Sequence, residues 1–76
     1  MTPRLPAVRA DDVVRVAKPL GFKFDRQKGS HAVYYREADK SRLVIPMHQG
    51  RIIKPKTLAG MVHDIGISIG EFRGLL

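Results

Sequence analysis

A change of hydrophobic period divides this chain. Phe22 and Phe24 alternate with Gly21, Lys23 and Asp25, the period of 2 expected of a half-buried strand; Leu58, Met61, Val62 and Ile65 instead stand at i, i+3, i+4 and i+7, one face of a helix. An earlier stretch, Val13, Val14, Ala17 and Leu20, also has helical spacing, with Asp11 and Asp12 where a helix N-terminus favours carboxylates. The β-branched run Val13-Val14-Arg15-Val16 also suits a strand, but the 3.6 period sustained from Asp11 to Leu20 favours the helix. Pro19 must then kink or shorten its last turn, and Gly21 ends it.

Turn residues punctuate the middle of the chain. Phe22 and Phe24 alternate with Gly21, Lys23 and Asp25 as a first strand, and Lys28-Gly29-Ser30 makes a tight connection to a second, His31 to Glu37, in which Val33 and Tyr35 share the face of His31. Ala38-Asp39-Lys40-Ser41 is a polar turn, and Arg42 to Ile45 is a third strand that Pro46 stops. A basic loop, Gln49 to Lys54, leads to Pro55, which suits a first helical position, and Gly66 is a C-cap. Ser68-Ile69-Gly70-Glu71 has capping-box spacing, so a short last helix is expected to carry Phe72, Leu75 and Leu76 onto the core. Residues 1–9, with Pro3 and Pro6 and no period, read as an extended arm. The expected architecture is one α+β domain over residues 1–76, ordered α-β-β-β-α: a three-stranded antiparallel sheet packed by two helices plus a short C-terminal helix.

Size and charge narrow the function. A domain of 76 residues buries only about 60% of the surface its unfolded chain exposes, which leaves no room for a large cofactor cavity, and no cofactor is expected. The absence of Cys removes disulfides, thiolate zinc sites and cysteine nucleophiles. No run approaches the roughly 20 apolar residues of a membrane span, and the proline-broken N-terminus lacks the apolar core of a signal peptide, so a cytoplasmic protein with no membrane partner is expected. The net charge is +7, and most of it lies between Lys23 and Lys56, where Lys23, Arg26, Lys28, Arg36, Lys40, Arg42, Arg51, Lys54 and Lys56 face only Asp25, Glu37 and Asp39. A polyanionic partner follows from that concentration, because each neutralised phosphate releases counterions.

Within this basic stretch stand Arg26-Gln27-Lys28-Gly29-Ser30-His31 and, beginning thirteen residues after His31, Val44-Ile45-Pro46-Met47-His48. Two imidazoles among cations suggest RNA chemistry. Three separated histidines with no Cys and no carboxylate cluster lack the ligand spacing of a zinc site, and Ser30 and His31, adjacent in sequence, cannot aim at one another as a serine hydrolase pair would. His63 falls off the apolar face of its helix and reads as exposed.

These blocks, with Gly21-Phe22, the helix beginning near Thr57-Leu58, and the tail Gly66-Ile67-Ser68 with Glu71-Phe72, resemble the HicA toxin family over almost the whole chain. The chain departs from the family pattern at Lys54-Pro55-Lys56, where members often have glycine before Thr-Leu, and at Pro19, which interrupts a generally continuous first helix. The resemblance implies a fold similar to the double-stranded-RNA-binding domain and a ribosome-independent mRNA endoribonuclease of a type II toxin–antitoxin pair. It further implies a HicB-like antitoxin that covers the active site and helps repress the operon, and toxicity that depends on the histidine after Gly-Ser, here His31.

The residues themselves fit that chemistry. Cleaving RNA without a metal needs a base for the ribose 2′-OH, donors for the phosphorane charge and an acid for the leaving oxygen. His31 is the candidate base or acid, supported by Lys28 and the Ser30 hydroxyl, with His48 as a possible second proton carrier. Gly29 permits close approach of a phosphate; Arg26, Gln27, Lys28, Gly29, Arg51, Lys54 and Lys56 are the candidate RNA contacts. Tyr34 and Tyr35 alternate across their strand, so at most one faces the core and the other is left for packing or base stacking. A non-catalytic RNA-binding module with the same fold, or a toxin relic that only binds a partner, is the alternative.

Overall fold

The structure, a computed structural model, describes residues 5–48 and 50–76; residues 1–4 of the expected arm and Gln49 of the basic loop lie outside them. Helix α1 (Ala10–Ala17) starts with the Arg9 amide N–H donating to Asp12 Oδ2 at 2.9 Å. Pro19 then tightens the chain into a 3₁₀ turn at Lys18–Leu20 instead of letting the helix continue. Gly21 closes that turn at φ 97, a conformation that any side chain would strain and where a Cβ would stand 3.2 Å from Arg36 Cδ.

Three strands follow: β1 (Lys23–Lys28), β2 (His31–Arg36) and β3 (Ser41–Pro46), an antiparallel meander in the order β1-β2-β3. Gly29, at φ 60, and Ser30 make the two-residue connection between β1 and β2. Helix α2 (Pro55–Ile65) begins with proline at its first position and ends at Gly66, whose N–H reaches the His63 carbonyl at 3.0 Å. Helix α3 (Ile69–Leu75) carries the full capping box: Glu71 N–H donates to Ser68 Oγ and Ser68 N–H to Glu71 Oε1, both at 3.0 Å.

All helices lie on one face of the sheet. Ala32, Tyr34, Leu43 and Ile45 point to that inner face and close a core with Val13, Val16, Ala17, Leu58, Met61, Val62, Ile65 and Phe72. Residues 5–9 form no helix or strand, yet Val8 is buried and its carbonyl accepts from the Ile53 N–H at 2.8 Å, which ties the chain before α1 to the segment before α2.

Three local expectations are corrected. Phe22 is buried but precedes β1 rather than sharing its face with Phe24. It sits under the Arg36 guanidinium, 4.5 Å from the ring centroid. Phe24 lies on the edge strand and meets Tyr34 edge-on at 5.7 Å, yet remains 55% exposed because α1 and α2 pack toward β3 instead. Leu75 and Leu76 are exposed: α3 buries Phe72 and rests the half-buried Ile69 against the core. Pro46 also differs in a small way, ending the third strand within the ladder as the partner of His31, on an edge strand where its missing N–H is tolerated.

The register of β1 decides which face its cations take. Phe24 pairs with Tyr34, but the pairing shifts before Arg26, which pairs with Val33, leaving Asp25 as an extra residue in a β-bulge. Strict alternation from Phe24 would turn Arg26 and Lys28 toward the helices. The bulge turns both to the outer face, opposite Val33 and His31, and sends Gln27 inward opposite Ala32.

Candidate active site

His31 opens β2 on the outer face, exposed, between Lys28 of β1 and Pro46 of β3 in the same row of the sheet. The row is locked just beyond the ladder, where Met47 N–H donates to the Ser30 carbonyl at 2.6 Å. That contact holds the Gly29-Ser30 turn against the end of β3 and sets His48 two residues past the partner of His31.

From there the chain curls around the β3 edge toward α2, and a groove of about 400 Å³ opens between them. His31, Val44 and Pro46 form its sheet side; His48, Arg51, Ile52, Ile53, Lys54 and Thr57 form the other. Both imidazoles therefore border one space together with two cations, and among the described residues no carboxylate lines it. Thr57 stands in the first turn of α2, where helix geometry leaves N–H groups without intrahelical partners and the dipole is positive. A second cavity of about 320 Å³ lies on the inner side, lined by Arg9, Ala10, Asp11, Gln27, Met47, His48 and Gly50, so that His48 borders both.

The other candidates fall around this groove rather than in it. Lys28 is exposed beside His31 on the outer face, and Arg26 stands one row further along, in an exposed ion pair with Asp25 at 3.4 Å. Gln27 donates from Nε2 to the Gly29 carbonyl at 3.1 Å, bracing the turn, and lines the second cavity. Ser30 is in the turn itself, half-buried, and not on a strand. Lys56 is exposed in the first turn of α2 but does not line the groove. Tyr34 is the core tyrosine; Tyr35 is half-buried on the outer face, and His63 is exposed.

Sequence reasoning missed Thr57 and Ile52 as groove residues. Only the position of Thr57, three residues after Lys54 at a helix start, hints at its place. No described helix is long and apolar enough to cross a membrane. The sequence profile described as HicA toxin of bacterial toxin-antitoxin matches residues 10–67, from the start of α1 through the loop after α2. Comparison with curated proteins finds no match.

Proposed function

The chain belongs to the HicA family of bacterial toxins, which act within toxin–antitoxin pairs, and on that footing we propose that it is a metal-independent, ribosome-independent endoribonuclease that cleaves mRNA at the groove beside His31. The observation that carries the reading is the meeting of His31 and His48 with Arg51 and Lys54 around one open groove. A scissile phosphate held there by the two cations and by the start of α2 lies between two groups able to exchange protons. One imidazole takes the proton of the ribose 2′-OH as its oxygen attacks phosphorus; the other gives a proton to the departing 5′ oxygen. The products are a 2′,3′-cyclic phosphate and a 5′-hydroxyl. Lys28, adjacent to His31 on the outer face, and the Ser30 hydroxyl donate to the non-bridging oxygens as charge builds.

The partner in this reading is a HicB-like antitoxin that covers the groove. Because Arg51 and Lys54 serve phosphate and an acidic protein surface alike, the antitoxin and RNA compete. The product ends test the chemistry. An RNA cut in EDTA is expected to carry a cyclic phosphate, and the same RNA with 2′-O-methyl riboses is expected to remain intact. Cleavage of the methylated RNA overturns transesterification from the 2′-OH, and binding of RNA with no cleavage assigns the fold to a non-catalytic binding module.

A further inference from the structure

We propose that the outer face of the sheet carries the substrate away from His31 as a single strand, with Lys23, Arg26 and Arg42 holding phosphates on successive rows and Tyr35 stacking an unpaired base. The inference rests on the RNA reading above and adds to it the strandedness of the substrate and the path it follows.

Three rows of side chains cross this face. Lys28, His31 and Pro46 form the first, Arg26, Val33 and Val44 the second, and Lys23, Tyr35 and Arg42 the third. Every β1 residue paired with β2 on this face is a cation, with the unpaired Asp25 beside Arg26, and this arrangement exists only because the Asp25 bulge turns Arg26 and Lys28 outward. Successive rows are two residues apart, about 6.6 Å along the strands, a spacing that the phosphates of an unstacked strand can follow. The described helices all lie on the opposite face; Val33 is buried among its row neighbours, while Val44 beside it is 42% exposed and the flanking cations are exposed. The groove at His31 opens onto this surface, since Val44 and Pro46 belong to both.

The chemistry of the face favours a single strand over a duplex. Tyr35 offers a ring beside Val44 and Val33, and only unpaired bases can leave their own stack to meet it. The Arg26–Asp25 ion pair is exposed on both sides and weak, so a phosphate can replace Asp25. Glu37 borders the end of the face next to Tyr35, which limits the track to about three rows of nucleotides.

The test uses His31→Ala protein, so that binding is read apart from cleavage, and a short unstructured oligoribonucleotide titrated from about 50 to 200 mM salt. Adding Lys23→Ala, Arg26→Ala and Arg42→Ala together is expected to lower the slope of log affinity against log salt by about 2, at about 0.7 per phosphate contact on a single strand. Tyr35→Ala is expected to weaken binding about tenfold, whereas Tyr35→Phe retains it. A duplex of the same sequence is expected to feel neither change. An unaltered slope in the triple variant overturns the track, and so does equal loss on the duplex. If Tyr35→Ala fails to fold, the triple variant, all exposed side chains, decides alone. In protein that keeps His31, cleavage that persists at unchanged KM after the same three substitutions leaves the ribonuclease standing and removes only this inference. Loss of antitoxin binding with intact RNA binding assigns the face to a protein partner instead and overturns it.

Discussion

Arg36 joins three parts of the chain through one guanidinium. It donates to the Leu20 carbonyl at 3.2 Å and to the Ile65 carbonyl at 3.0 Å, so it caps both the 3₁₀ turn and α2, and it lies over Phe22. Its other N–H groups hold the Asp39 carboxylate at 2.8 and 3.0 Å, a bidentate pair across the β2–β3 turn. Arg36→Ala leaves two part-buried carbonyls without their charged donor, and a loss of roughly 2 kcal/mol is expected in urea unfolding. Cleavage per folded molecule is expected to be unchanged, because Arg36 is on the inner face, away from His31. Asp39 is held well below the usual carboxylate range, first by Arg36 and then by Ser41. A depressed carboxylate contributes stability above its unfolded value near 4 and loses it as pH falls through the native value. The melting temperature of Asp39→Asn is therefore expected to lie below wild type at neutral pH, and the gap to close as pH falls below about 4. A gap that is constant with pH contradicts the ion pair as its cause.

At the scale of elements, the parts that local chemistry dictates were legible. Pro55 and Gly66 bound α2, Ser68 with Glu71 starts α3, and Pro19 with Gly21 ends the first helix, since each acts on its own backbone. The Asp25 bulge was not legible, because pairing with β2 creates it and nothing in Lys23–Lys28 alone requires it. Leu75 and Leu76 misled for a related reason: seven residues make fewer than two full turns, and Phe72 with the half-buried Ile69 is what reaches the core. Two stability measurements separate these cases. Leu58→Ala in α2, fully buried, is expected to cost about 3 kcal/mol, whereas Leu75→Ala is expected to stay within about 0.5 kcal/mol of wild type. Comparable losses at both positions contradict the packing described for α3. In the candidate site, His31, His48, Arg51 and Lys54 could be named from the sequence as residue types suited to RNA. Their convergence with Thr57 could not, since it depends on the turn of the chain around the β3 edge.

Across the whole molecule, the helices and the core take one face of the sheet, and the cations of β1 with His31 take the other. That segregation separates stability from chemistry, so substitutions of the exposed groove residues His31, His48, Arg51 and Lys54 are expected to alter cleavage with little change in melting temperature. On the proposed reading, a face free of the fold's own packing leaves the groove within reach of a neutralising partner. The central claim, that His31 performs the proton transfer of RNA cleavage, is tested most directly by a time course. Wild-type and His31→Ala proteins, purified identically and shown to melt alike, are mixed with a long unstructured RNA in EDTA. A fall in rate of roughly 10²–10⁴-fold in the variant is the result the account predicts. Equal rates in the two proteins would contradict it.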